Sequence, residues 1–236
     1  MQAFAQENQE ETTPDASSDE QIEQSQATQE NAEPKLTLEE KLLKAQKKRL
    51  KFYEFNPVKN KDGYITLVEF NDLDCDKCLE ESKKVYDTIL SENEPFIKTI
   101  YRHINHDSTK LVNNIEVYAM LANDYGKFWE FKNKLYKNSY KTEEQLIELL
   151  LDIGLSKKQI NDSLAVKYKQ YYYNLDVDHE YSVSVESHSA PMFFVDGYRI
   201  DEDITLQELN EYIQLKKKEF LEKKEKENNK YKMGRF

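Results

Sequence analysis

The chain has 236 residues, of which 34 are Lys or Arg and 45 are Asp or Glu, for a formal charge of -11. That length suits one medium domain with appendages or two small ones, and two cysteines exclude both a disulfide-rich scaffold and a four-cysteine zinc site. The apolar runs are far too short to cross a bilayer, and the acidic balance argues against a nucleic-acid grip driven by counterion release.

The charge is unevenly placed. Residues 1–34 hold nine acids and no Lys or Arg, so they carry -9. The remaining residues, 35–236, set 34 cations against 36 acids and carry only -2. The first stretch is Gln-rich and short of large apolar side chains, and reads as a disordered acidic tail that cannot offset the entropy of ordering. Ala3-Phe4-Ala5 has the A-x-A form of a signal-peptide cleavage site, so the chain is expected to begin near the end of a removed signal. The scarcity of cysteine also suits an oxidising, extracytoplasmic compartment.

An N-terminal helix is expected over 35–54. Thr37-Leu38-Glu39-Glu40 is a capping box, and the helix is read as running to about Phe52 or Tyr53, before Asn56-Pro57. Its stripe of Leu38, Leu42, Leu43 and Leu50 fits packing on its own domain; an oligomerisation arm is the alternative. Tyr64–Phe70 is nearly continuous in apolar character, as a central buried strand is, with Glu69 the exception. Helix follows from Cys75, then a strand over Phe96–Tyr101, making a βαβ unit. From about 108 to 182 the pattern is helical and reads as an inserted all-helical subdomain. Tyr168, Tyr171–Tyr173 and Tyr181 read as a helix end, and His188 as a surface-loop residue. Met192–Val195 and Tyr198–Ile200 flank the hairpin turn Asp196-Gly197. Thr205-Leu206-Gln207-Glu208 caps a last helix, ending in a charged run over about 216–236.

Cys75-Asp76-Lys77-Cys78 lies between the buried strand and the helix it opens. Two thiols at this spacing on a first helical turn can close a disulfide, and the helix N-terminus stabilises a thiolate at the first. Cys75 is therefore the candidate nucleophile and Cys78 the buried resolving thiol. Glu69, six residues upstream, is an acid in an apolar strand whose carboxyl would lie under Cys78, a candidate proton acceptor with its pKa raised by burial. Pro191 directly precedes an apolar strand. In cis it would set the Ala190 backbone beside the dithiol, ready to pair with an extended substrate segment. Asp76 opposes thiolate formation and Lys77 favours it, so both modulate the pair.

Together these residues resemble the thioredoxin-fold family, and within it the DsbA-like thiol–disulfide oxidoreductases. Val68-Glu69-Phe70 through Cys75-x-x-Cys78, then Gly126-Lys127-Phe128-Trp129-Glu130-Phe131, Gly154-Leu155-Ser156 and Ala190-Pro191-Met192-Phe193-Phe194-Val195-Asp196-Gly197 carry the resemblance over about residues 55 to 215. It implies an α/β thioredoxin fold over 55–236, interrupted by the helical insertion, together with disulfide exchange with client proteins outside the cytoplasm. It also implies a membrane-bound redox recycling partner and no metal or organic cofactor. Asp76-Lys77 replaces the Pro-His of strongly oxidising members, which predicts a milder oxidant, and Ala190 replaces the usual Val or Thr at the docking surface. Disulfide formation is the expected direction. An oligomeric isomerase or reductase assembled through the N-terminal helix is one alternative. A zinc-binding or non-catalytic module using Cys75, Cys78, His103 and His106 is the other.

Overall fold

A computed structural model describes residues 36–44, 47–104, 115–140, 142–187, 189–200 and 204–233. The acidic tail, the Ala3-Phe4-Ala5 site, His106 and His188 lie outside them. Helix α1 covers Leu38–Lys44. Its capping box is formed: the Thr37 N–H donates to Glu40 Oε2 at 2.8 Å and the Glu40 N–H to Thr37 Oγ1 at 3.3 Å. The helix does not reach Phe52 or Tyr53, and the N-terminal helix expected over 35–54 is corrected to this shorter one. Tertiary partners take the backbone groups that a longer helix would use. The Lys48 N–H donates to the Gly197 carbonyl at 2.8 Å, and the Lys51 N–H to the Tyr181 hydroxyl at 2.6 Å. Gly197 permits this approach: its φ is +88°, and a Cβ there would meet the Lys48 carbonyl oxygen at 2.5 Å.

The sheet combines β1 (Val58–Lys59), β2 (Ile65–Asn71), β3 (Ile97–His103), β4 (Met192–Val195) and β5 (Tyr198–Ile200) in the order β1-β3-β2-β4-β5. Strands β2 and β3 are parallel and joined by helix α2 (Asp76–Asn93); all other pairs are antiparallel. Two-residue β1 escapes sequence reading because it is too short to show alternation. Helices α3 (Ile115–Asp124), α4 (Phe128–Leu135), α5 (Glu143–Asp152) and α6 (Lys157–Ser184) form the insertion between β3 and β4; its expected start at about 108 lies outside the described residues, and α6 ends at Ser184. Tyr171–Tyr173 lies in the middle of α6 rather than at a helix end; Tyr171 is buried and Tyr173 exposed. Helix α7 (Leu206–Met233) runs through most of the charged segment.

Alternation along the strands decides which helix each face meets. Ile65, Leu67, Phe193 and Val195 pack with Ile89 of α2, Leu209 and Ile213 of α7, and Leu42 of α1. Val68, Phe70, Ile100 and Phe194 form the opposite face with Val185 and Met192. Leu38 and Leu42 of α1 thus cover their own domain, and Lys41 pairs with Glu208 of α7 at 2.8 Å. The insertion has its own core of Tyr118, Leu121, Phe128, Phe131, Leu149 and Ile160, continuous with Leu73, Leu79 and Tyr101 at the end of the sheet.

One fully buried ion pair ties the insertion to this sheet. Arg102 of β3 places Nη2 2.6 Å from Asp178 Oδ1 of α6, a contact of charge rather than a well-aligned hydrogen bond. Arg102 Nη1 donates to the Lys51 carbonyl at 2.6 Å, and the guanidinium lies 3.9 Å from the Tyr181 ring centroid. Asp178 also accepts from Asn56 Nδ2 at 3.0 Å and from the His103 N–H at 3.1 Å. Burial raises the Asp178 carboxyl above its ordinary value, against the pull of Arg102. Removing one partner strands the other charge. Asp178→Ala is expected to lower stability by about 3–5 kcal/mol, while Arg102→Met/Asp178→Leu recovers much of that loss in urea denaturation.

Candidate functional site

Period-two alternation turns Glu69, like Ile65 and Leu67, toward α2. Strand β2 ends at Asn71, and residues 72–74 carry the chain to α2. Side chains hold this loop. Asn71 Oδ1 accepts the Asp72 N–H at 2.8 Å, Asp72 Oδ1 accepts the Asp74 N–H at 2.8 Å, and Glu116 Oε1 of α3 accepts the Leu73 N–H at 3.1 Å.

Cys75 is the N-cap residue of α2. Its Sγ accepts the Cys78 N–H at 3.1 Å, and it is disulfide-bonded to Cys78 with the Cα atoms 5.2 Å apart. The Cys75 sulfur therefore sits where unpaired helix N–H groups and the positive end of the dipole favour a thiolate. Cys75 is partly exposed and Cys78 buried. Asp76 is exposed, with both carboxylate oxygens 3.5 Å from Ser139 Oγ. The Lys77 side chain is 84% exposed, with its ammonium 3.7 Å from Glu81. Its charge is thus directed to solvent and the next helical turn, which screens its effect on the dithiol.

Glu69 is completely buried. Its carboxylate forms an ion pair with Lys132 of α4 and accepts from Tyr86 Oη, from Ser82 Oγ at 2.6 Å and from Asn71 Nδ2 at 2.8 Å. The fold gives this acid a buried cation and three neutral donors. Ser82, which donates to this carboxylate, follows Cys78 by one helical turn of α2. Lys132, Ser82, Tyr86, Tyr136 and Glu116 were not singled out from the sequence. Lys132 left a trace there: it falls on the same helix face as Phe128 and Leu135, four and three residues away, where an apolar residue belongs.

Ala190-Pro191 is a cis peptide, just before Met192, which pairs with Phe70 near the end of β2. Pro191 thereby stands by the strand end from which the Cys75 loop departs. His103, a residue of the zinc alternative, is buried with its ring packed edge-on to Tyr101 and Phe128. Burial and the charges of Arg102 and Lys132 push it down to about 3. Among the described residues no group of three or more His, Cys, Asp and Glu side chains is arranged to hold a metal ion. Gly126 and Gly154 both take positive φ, and Ser156 caps α6 with Gln159 in a capping box.

Residues 60–215 match the family model described as Thioredoxin. No curated protein matches the chain. Among solved structures, a thioredoxin-like oxidoreductase from Silicibacter pomeroyi is similar with a TM-score of 0.57 at 19% identity, covering 70% of this chain and 94% of its own. Oxidised BdbD from Bacillus subtilis gives 0.54 at 17% identity, covering 69% and 93%. The thiol–disulfide exchange protein alpha-DsbA2 from Wolbachia pipientis gives 0.54 at 16% identity, covering 68% and 87%.

Glu116 offers a test of the loop. Burial, and then the nearby Asp72 carboxylate, raise its carboxyl well above the ordinary 4.5. The folded chain therefore keeps a proton that the unfolded chain has lost, and this group's contribution to stability falls as pH rises above that value. Glu116→Gln keeps an acceptor for the Leu73 N–H without needing the proton. Its urea midpoint is expected above wild type at pH 8, by on the order of 1 kcal/mol of stability, with the gap closing toward pH 5.

Proposed function

The chain belongs to the thioredoxin family, and on that premise we propose that it is a DsbA-like thiol–disulfide oxidoreductase that forms disulfides in client proteins outside the cytoplasm. The observation that carries the reading is the position of Cys75: N-cap of α2, partly exposed, and joined to a buried Cys78. A client thiolate attacks Cys75 Sγ, the Cys75–Cys78 bond breaks, and its electron pair leaves on Cys78 Sγ. A second client thiolate then attacks the client sulfur of the mixed disulfide, releasing Cys75 as a thiolate and the client with a new disulfide. A redox partner reoxidises the pair. Glu69 exchanges the proton of Cys78, and the Ala190-Pro191 segment pairs with the client backbone.

The extracytoplasmic location rests on this chemistry, since a stable disulfide couple works in an oxidising compartment. No helix of the described residues is long and apolar enough to cross a membrane. The packing of Leu38 and Leu42 within the chain favours a monomeric oxidase over an isomerase assembled through α1.

Cys78→Ala is expected to accumulate mixed disulfides with clients at Cys75, and Cys75→Ala to accumulate none; trapping by neither variant would sink the exchange reading. Asp76 beside Cys75, with Lys77 turned to solvent, predicts a couple less oxidising than about -120 mV, the strongly oxidising extreme. Equilibration with glutathione buffers measures it. A value at or above that extreme would overturn the assignment of Asp76 and Lys77.

A further inference from the structure

Residues 47–51 read Lys-Lys-Arg-Leu-Lys, four cations with no acid between them. The fold holds this segment in place through the Lys48–Gly197 and Lys51–Tyr181 hydrogen bonds, and leaves Lys47 and Arg49 exposed. Like charges held together repel, so gathering them adds nothing to the stability of the compact state.

A groove of about 780 Å³ lies between this segment, the hairpin that joins β4 to β5, and α7. Lys47, Lys48, Arg49 and Lys216 supply its cations. Phe52, Tyr64, Tyr198 and Tyr212 supply its rings. Val68, which is fully buried, also lines it, while Phe52 and Tyr64 are 45% and 44% exposed, so the groove is recessed between open ring faces. Asp196 is the one acid among the described residues that line it, and the fold already uses both its oxygens. Oδ1 accepts the Thr66 N–H at 2.9 Å and Oδ2 accepts the Tyr212 hydroxyl at 3.2 Å. Lys48 meets Glu186 at 3.1 Å and Lys216 meets Glu219 at 2.9 Å. The Lys47 ammonium lies over the Tyr198 ring, 4.9 Å from its centroid, and Arg49 has no ion-pair partner among the described residues.

The groove stands at the opposite end of the strands from the dithiol. Strand β4 starts at Met192, paired with Phe70 beside the cis Ala190-Pro191 bond, and ends at Val195, paired with Leu67. The Asp196 N–H then donates to the Thr66 carbonyl at 2.8 Å. Thr66 and Asn71 both lie in β2 and are separated by about 17 Å at the usual strand rise, and Cys75 lies beyond Asn71.

We propose that this groove anchors an acidic, extended segment of the client protein, several residues away from the client cysteine that reacts at Cys75. The proposal rests on the exchange reaction at Cys75. Arg49 presents a planar fork that can pair both oxygens of a carboxylate, and Lys47, Lys48 and Lys216 add charge along the same groove. Phe52, Tyr64 and Tyr198 offer rigid ring faces to the rest of the segment. A lipid surface of the same sign is the weaker match. It is flat where the groove is recessed, and a molecule of charge -11 must approach it as a whole. A short peptide senses chiefly the charges within about 10 Å at 0.1 M salt. Anchoring raises the effective concentration of the client's cysteines at the dithiol, so clients with an acidic segment react ahead of equally reactive clients without one.

Three peptides test this on the oxidised full-length chain. The first is a fluorescent, cysteine-free segment of alternating Glu and Tyr. The second joins that segment to a pair of cysteines through a Gly/Ser linker of about twelve residues, roughly 19 Å in r.m.s. length. The third is the second with Gln in place of Glu. Fluorescence anisotropy is expected to show the first peptide binding, with affinity falling about tenfold or more between about 50 and 300 mM NaCl. Lys47→Glu/Arg49→Glu is expected to weaken it about tenfold at the lower salt. At low peptide concentration the second peptide is expected to be oxidised about tenfold faster than the third, and Lys47→Glu/Arg49→Glu to bring that ratio to about one. Because the ratio is taken within one protein, a general loss of activity does not imitate it. A wild-type ratio near one, with both peptides oxidised, sinks the anchoring groove and leaves the exchange reading standing. If neither peptide is oxidised, the exchange reading fails and the client role of the groove falls with it. Equal binding of the first peptide by wild type and Lys47→Glu/Arg49→Glu also overturns the proposal. So does binding of phosphatidylglycerol vesicles that the double variant loses, in a protein that ignores the acidic peptide, since the groove then serves a lipid surface.

Discussion

A carboxylate buried in the central strand of a sheet needs a counter-charge, and here the counter-charge comes from a different layer of the molecule. Glu69 has no solvent contact, and the cation that meets it, Lys132, belongs to the helical insertion. Burying two charges costs several kcal/mol each, and their attraction offsets this only with good geometry and further hydrogen bonds. Ser82, Tyr86 and Asn71 provide those bonds. The arrangement exists only when α4 is docked against α2, so the electrostatic environment of Glu69 depends on how the insertion packs.

The second buried pair extends this dependence to the other face of the sheet. Glu69 is in register with Tyr101, and Phe70 with Arg102, so Glu69 and Arg102 point to opposite faces. Lys132 of α4 meets the first and Asp178 of α6 the second. The insertion therefore grips the ends of β2 and β3 from both sides. Leu73, Leu79 and Tyr101 fill the space between with apolar contacts to its core. The loop that presents Cys75 emerges from this clamp, and Glu116 of α3 holds its backbone at Leu73. Sheet, α2 and insertion act as one support for two sulfur atoms.

Local electrostatics follow from the same construction. Cys75 sits at a helix N-terminus, which favours its thiolate, while exposed Asp76 works against it. Cys78 lies one helical turn from Ser82, which donates to the buried Glu69 carboxylate. The two cysteines thus have different surroundings: one is partly exposed at the helix N-terminus, the other is buried. The formal charge of -11 has little part in this, since residues 1–34 carry most of it.

Local patterns carried much of this in the sequence. The buried strand before Cys75, the helix it opens, the hairpin at Asp196-Gly197 and the capping boxes at Thr37, Ser156 and Thr205 depend on neighbouring residues alone, so they could be read directly. The C-x-x-C spacing, the acid at Glu69 and the proline before β4 marked the site for the same reason. What the sequence alone did not decide were partnerships over long separations. Lys132 lies 63 residues from Glu69, Asp178 75 residues from the His103 amide it accepts, and Gly197 far from the Lys48 it draws out of a helix. No local propensity encodes these meetings, because they arise only when α4, α6 and the 47–53 segment close on the sheet. The chain's own letters determined that a dithiol would stand at a helix N-terminus; tertiary packing decided which charges would surround it, since only a folded interior can place a cation from one layer against an acid in another.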